Sequence, residues 1–267
     1  MSFLKVKSNI FDGLIPLTPL IALLNLHESG KGEIACTETN LNNIMSHKIL
    51  LVAATDAEGD ALRKIPGVKP LDKGFHFGNC DITLLVTGIG QMATSWALTK
   101  WLSCNEKPDF AINIGIAGSY NKDLKTGEVV APVSDCFADT GVETGKTILT
   151  LAEAGIEDPP FREGRIYAVN EYMPLVLEIL KPVAAITVNT VTGSAVTIER
   201  MTEKFHPDIE TMEGATFFYI CSREKTPFIA IRAISNRVEP RDKKKWNIHL
   251  AINNLSERLK EILLMFD

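Results

Sequence analysis

Four short stretches hold side chains whose types and spacing suit chemistry. TDAE (Thr55–Glu58) follows an apolar run, so Glu58 stands at a strand end, where a carboxylate can take a proton from water. Thr55 with Glu58 three residues on is also a helix capping box, and the local residues leave both readings open. ETMEGA (Glu210–Ala215) precedes an apolar helix. Glu213 there either favours the positive helix start or accepts both hydrogen bonds of a sugar diol, with Met212 beside it as an apolar, polarizable contact. FIAIRAISNR (Phe228–Arg237) reads as a buried strand that carries Arg232 and stops on Ser235-Asn236. An unpaired buried charge costs several kcal/mol, so Arg232 demands a partner. GIGQMA (Gly88–Ala93) has the form of a dinucleotide fingerprint. It follows the second strong strand, however, and Asp109 precedes the next strand instead of ending it. A tight strand–helix turn accounts for both glycines, and no NAD site is expected.

Strands and helices alternate around these stretches. Lys48–Thr55 is a continuous apolar run, as in a strand covered on both faces. Further strands are expected at Ile82–Gly90, Asp109–Gly118, Gly127–Asp139, Ala184–Thr192 and Phe228–Ser235. Pro132 marks a bend or an edge position in the fourth of these six. Helices are expected at Thr55–Lys64, Gln91–Cys104, Ser194–Phe205 and Glu213–Arg223, and Glu157–Glu163 reads as a surface loop. In a last helix, Leu255, Leu259, Ile262, Leu263 and Phe266 share one face. The pattern predicts one α/β domain, a three-layer αβα sandwich around a central mixed, largely parallel sheet. Ligands of such sheets sit beyond the carboxyl ends of the strands, where the four stretches lie.

Composition narrows the function classes. The 267 residues carry a net charge of −5 without long single-sign blocks, which argues against nucleic acid as the main partner. Lys243, Lys244 and Lys245 form the one tight basic run. The five cysteines are scattered and never spaced CxxC, and the five histidines show no paired-ligand spacing. A metal-free, cofactor-free, cytoplasmic protein is expected. Ile10–Leu26 is apolar but broken by Asp12, Pro16 and Pro19, too short and interrupted for a membrane span. Residues 1–44 are expected to be a non-catalytic extension, with the working domain over 45–267.

The order of VAATDAE, VTGIG, INIGIAG, ADTGVE, MEGA and RAISNRVEPRDKKKWNI resembles the purine nucleoside phosphorylase/nucleosidase superfamily over about Lys48–Phe266, and within it the futalosine hydrolases. The resemblance implies a nucleoside phosphorylase-like fold and hydrolysis of an N-glycosidic bond, in that family the release of hypoxanthine from futalosine, a step of menaquinone biosynthesis. By the same resemblance Glu58 activates water, Arg232 lies near that water close enough to pair with carboxylates, and Glu213 with Met212 holds the ribose. Ala117 and Gly118 line the site, and Val196 and Thr197 contact the base. Asn236 replaces the aspartate of adenine-cleaving relatives. An amide has no proton to give at neutral pH but can donate hydrogen bonds to the N7 and O6 acceptors of hypoxanthine. The alternative reading of Asn236 is a cap of the strand end or turn. NIGIAG lacks the arginine and serine that related phosphorylases use for phosphate, so water is the expected nucleophile. Arg237, Arg241 or the lysine run is expected to bind the carboxylate of futalosine's side arm. Family members are homo-oligomers, so at least a dimer is expected. The rivals are a methylthioadenosine/S-adenosylhomocysteine nucleosidase, a 6-oxopurine nucleoside phosphorylase and a non-catalytic nucleoside-binding module.

Overall fold

The computed structural model describes residues 46–145, 147–240 and 245–266. The expected extension over 1–44, with its boundary, lies outside them, as do Arg241, Lys243 and Lys244 of the basic segment. β1 (His47–Ala53) runs parallel between β4 (Cys80–Val86) and β5 (Phe110–Ser119), which is why it reads as unbroken hydrophobic sequence. β12 (Phe228–Arg237) lies parallel to β5 on its other side. Beyond β12 come β6 (Val129–Asp135), antiparallel to it, then β10 (Lys181–Thr187) and β11 (Ile209–Thr211), each parallel to the one before.

β11 also pairs antiparallel with β5, so the run β5–β12–β6–β10–β11 closes on itself. The sheet is mixed, as expected, but it is not the open, largely parallel layer of the expected sandwich. Antiparallel pairings at β11–β5, β12–β6, β6–β9, β3–β4 and β2–β3 match the parallel ones in number, though the longest ladders are parallel. A strongly twisted sheet curls, and a three-residue strand suffices to bridge the gap. β2 (Lys69–Leu71) and β3 (Gly74–Phe77) extend the sheet past β4, β9 (Ile166–Tyr167) pairs with β6, and β7 (Val142–Thr144) with β8 (Thr147–Leu149) forms a separate hairpin. Pro132 is not at an edge, since β6 has β10 and β12 as neighbours. It sits at a bend: β10 slips register between Val183 and Ala184, and the β12 ladder stops at Val130, so no ladder bond to β12 is lost.

The helices are α1 (Asp56–Arg63), α2 (Gln91–Cys104), α3 (Met173–Ile179), α4 (Ala195–Phe205), α5 (Gly214–Arg223) and α6 (Ile248–Leu263). α1 packs on α6 and α2 on α5. Phe217 and Phe218 of α5 meet Phe228 of β12 edge to face at 5.5 and 4.8 Å. Each such buried ring contributes about 1.5–3 kcal/mol, which fixes α5, and with it the residues just before α5, against the sheet. Among the described residues no helix is long and apolar enough to cross a membrane.

Candidate active site

A cavity of about 320 Å³ opens beyond the carboxyl ends of β1, β5 and β12, where α1, α5 and α6 begin. Glu58 enters it from the first turn of α1. The capping box is formed: Thr55 Oγ1 accepts from Glu58 N at 3.3 Å, and Glu58 Oε2 accepts from Thr55 N at 3.1 Å and Thr55 Oγ1 at 3.0 Å. Its other oxygen, Oε1, accepts from Ile116 N at 3.0 Å. A carboxylate offers about four lone-pair sites, so three donors leave about one site for a water in the cavity. The helix cap and a candidate base are thus one side chain in one rotamer. Gly115 makes room for it, because a Cβ there would stand 2.8 Å from Glu58 Oε1 and 3.7 Å from Arg232 Nε.

Glu213 is the residue before α5, and its Oε1 accepts from Gly90 N at 2.8 Å. That bond gives GIGQMA its use. Gly88 and Gly90 both adopt φ of 90°, the left-handed region open to glycine, and the turn points an N–H at a carboxylate, not at a dinucleotide. Burial raises the pKa of Glu213, against the lowering effects of Gly90 and of the Arg232 charge. Met212 lines the cavity beside it.

At the other wall, β12 bulges. Ile234 pairs with Ala117 and Asn236 with Gly118, leaving Ser235 as the extra residue. A bulge re-aims a side chain, and here the Asn236 amide lines the cavity although only 7% exposed. Its Oδ1 accepts from Ser235 Oγ at 2.7 Å and its Nδ2 donates to Arg237 O at 2.8 Å. One Nδ2 hydrogen remains for a ligand. The turn-type local bonds expected of an asparagine here are present, and the same bonds hold the amide at the wall.

Arg232 is not on that wall. It is fully buried, and its guanidinium donates to Asn113 O at 2.8 Å, to Ile231 O at 3.0 Å and to Asn113 Oδ1. No carboxylate among the described residues forms a direct ion pair with it, contrary to expectation. Neutral carbonyl oxygens satisfy its fork, while the charges of Glu213, Glu58 and Asp135 act on it from farther off and oppose the lowering of its pKa by burial. Val196 and Thr197 also stand off the cavity. They sit in the first turn of α4, Val196 is 76% exposed, and Thr197 N donates to the Ser194 cap. Val191 and Thr192, just before that cap, line the cavity instead. Arg237 is committed to Asn121 O at 2.7 Å, and Lys245 pairs with Glu239 at 2.7 Å.

Three further residues line the cavity without a role assigned from the sequence, although Glu210 opens ETMEGA and Trp246 lies in RAISNRVEPRDKKKWNI. Glu210 is buried and held by Thr192 N at 2.9 Å and Tyr120 OH at 3.0 Å. Trp246 is the one aromatic side chain lining the cavity among the described residues, and Ile252 comes from α6. The cavity thus offers three carboxylates, of which Glu210 is already held by Thr192 and Tyr120, one amide, the hydroxyl residues Thr55, Thr192, Thr211 and Ser235, and an otherwise apolar wall. That suits a ligand with hydroxyls at one end and a flat, acceptor-bearing group at the other. Among the described residues no cluster of three metal-ligating side chains occurs.

The geometry agrees with the comparisons to known proteins. The family model described as "Phosphorylase superfamily" matches residues 48–266. A 5′-methylthioadenosine/S-adenosylhomocysteine nucleosidase of Buchnera aphidicola is 29% identical over 70% of this chain and 80% of its own. A futalosine hydrolase of Acidothermus cellulolyticus is 30% identical over 79% of this chain and 88% of its own. The native structure of futalosine hydrolase of Helicobacter pylori superposes with a TM-score of 0.68 at 18% identity, over 83% of this chain and 99% of that one, which is a likeness of fold. The chain belongs to the phosphorylase superfamily.

Proposed function

We propose that this chain is a nucleosidase that hydrolyses the N-glycosidic bond of futalosine, releasing hypoxanthine and leaving dehypoxanthine futalosine. The observation that carries the choice of base is the Asn236 amide, which keeps one N–H for the ligand while Ser235 and Arg237 fix its orientation. A 6-oxopurine presents acceptors there. Adenine needs a proton at N7, which an amide does not supply.

The steps follow from the side chains. Glu213 accepts the ribose hydroxyls with the lone pairs that Gly90 leaves free. Glu58 takes a proton from water through its remaining lone-pair site, and the water oxygen bonds to the anomeric carbon. The C–N bond breaks and its electron pair goes to the base, whose charge the Asn236 N–H stabilises until the proton reaches it. Arg232 works by its field, favouring the ionised state of Glu213 from behind the wall. Glu58 would repel a phosphate nucleophile, so water is the partner of the reaction. Residues 45–267 form the catalytic domain and residues 1–44 an extension to it. The working protein is a cytoplasmic homo-oligomer, at least a dimer.

The relative from Buchnera favours a second reading, cleavage of methylthioadenosine or S-adenosylhomocysteine. Incubating the protein with futalosine, inosine and methylthioadenosine in phosphate-free buffer decides between them by chromatography of the released base. Hypoxanthine from futalosine is the expected result. Adenine from methylthioadenosine would overturn the reading of Asn236, and release only after phosphate is added would overturn hydrolysis.

A further inference from the structure

Asp135 ends β6, is 1% exposed and is not part of the cavity wall. Its Oδ1 accepts from Cys136 N at 2.7 Å and from Thr187 Oγ1 at 3.0 Å. Its Oδ2 has no hydrogen-bond partner and packs against Gly214, where any Cβ would collide with it. A buried carboxyl with an idle oxygen weakens a fold, so such a residue calls for a use.

The hydroxyl contacts around it run in one direction. Thr187 has a single proton and gives it to Asp135. Its oxygen then accepts from Ala215 N at 2.8 Å, and in its 3.1 Å contact with Thr211 Oγ1 the proton belongs to Thr211. Thr211 Oγ1 in turn accepts from Gly214 N at 3.2 Å. α5 has no side-chain cap of its own, so the N–H groups of its first two residues end on this chain of hydroxyls. The residues just ahead of them are Met212 and Glu213.

We propose that Asp135 is a positioning residue: through Thr187 and Thr211 it fixes the start of α5 and so places the Glu213 carboxylate at the cavity. This rests on the reading of Glu213 as the ribose ligand. The charged groups acting on Asp135 are Arg165, ahead of β9, and Arg232 of β12; Cys136 beside it has its thiol pushed up to about 12 by burial. Thr187, Thr211 and Gly214 face it without charge. Burial raises the Asp135 carboxyl to about 7, against the pull of Arg165, Thr187 and Arg232. Ionised, it can only accept, and the direction of the hydroxyl chain is set. Protonated, it no longer dictates that direction, so ribose binding weakens as pH falls through about 7.

The test compares wild type, Asp135→Asn, Thr187→Val, Glu213→Gln and the double variant Asp135→Asn/Glu213→Gln. KM and kcat are measured from acid to alkaline pH on the nucleoside cleaved fastest among futalosine, inosine and methylthioadenosine, with thermal unfolding as a check on folding. Asp135→Asn and Thr187→Val are expected to raise KM roughly fivefold or more with kcat little changed, and Asp135→Asn to remove the KM inflection near pH 7. Added to Glu213→Gln, Asp135→Asn is expected to cost less than about twofold, because residues acting through one another are non-additive. If Asp135→Asn does not fold, Thr187→Val and its combination with Glu213→Gln carry the same comparison. Fully additive losses, or an unchanged KM in the folded variants, would overturn the role of Asp135 alone. An unchanged KM in Glu213→Gln would instead overturn the ribose reading on which it rests.

Discussion

Exchanging Asn236 for aspartate reverses one atom of the site and leaves the rest in place. In the native protein Nδ2 donates to Arg237 O at 2.8 Å, while Oδ1 takes the Ser235 hydroxyl at 2.7 Å. The variant keeps the second bond. It turns the first into an oxygen facing a carbonyl oxygen, in a position 7% exposed. The Arg237 carbonyl loses its donor, at a cost of about 1–3 kcal/mol in stability. The cavity loses its one N–H for the base and gains an acceptor opposite the base's own acceptors. A polar mismatch of this kind in a buried site reduces kcat/KM by roughly 10²- to 10⁴-fold, or about 3–5 kcal/mol of transition-state stabilisation. The assay is kcat/KM for futalosine and for methylthioadenosine, with a urea midpoint to separate folding from chemistry. Futalosine cleavage is expected to collapse and adenine release to rise relative to it. A folded variant that cleaved futalosine within about threefold of wild type would refute the account of base selection.

Three other perturbations follow from the same geometry. Glu58→Gln removes the base but retains a side chain able to cap Thr55 N, so kcat should drop roughly 10²- to 10⁴-fold with a stability loss of about 1–3 kcal/mol, checked by single-turnover kinetics and thermal unfolding. Gly115→Ala puts a Cβ 2.8 Å from Glu58 Oε1 and should lower kcat at least about tenfold without any change to a polar group; an unchanged kcat would show that the carboxylate need not be held where it is. Burial raises Asp135 to about 7 from an ordinary 3.8, so between those values the folded chain holds a proton that the unfolded chain has lost. Stability from this group is therefore present at low pH and lost as pH rises through about 7. Asp135→Asn should flatten the fall in urea midpoint between about pH 4 and 7, and an equally steep fall in the variant would contradict it.

Much of the site could be read in the sequence because it follows the strand ends. Glu58, Ala117, Gly118, Met212, Glu213 and Asn236 lie where apolar runs stop or helices start, and all six line one cavity. α2 spans Gln91–Cys104 as its turn and apolar pattern indicate. What escaped depends on contacts between distant segments. β11 is three residues with no run to betray it, and only its two partners make it a strand that closes the sheet. The resemblance alone places Val196 and Thr197 at the base, but Ser194 caps α4 and they stand off the cavity, leaving the wall to Val191 and Thr192. Asp135 sits in no motif. It acquires its surroundings from β10, β11 and α5, which no local pattern links to β6.

Arg232 shows why a residue can be inferred correctly as necessary and wrongly as to its partner. A buried guanidinium needs acceptors for its N–H groups, and a carboxylate is the usual inference. Here β5 supplies them from Asn113, whose backbone and side-chain oxygens both face the fork. Asn113 is itself buried, and its Nδ2 donates to Val52 O at 3.0 Å, so β1, β5 and β12 are tied through one amide and one guanidinium. The consequence is chemical as well as structural. A direct ion pair would occupy carboxylate lone pairs that a water or a diol needs. Satisfied by neutral oxygens, the cation still favours ionised Glu213 through the low-dielectric interior, yet leaves the remaining lone pairs of Glu58 and Glu213 to the cavity.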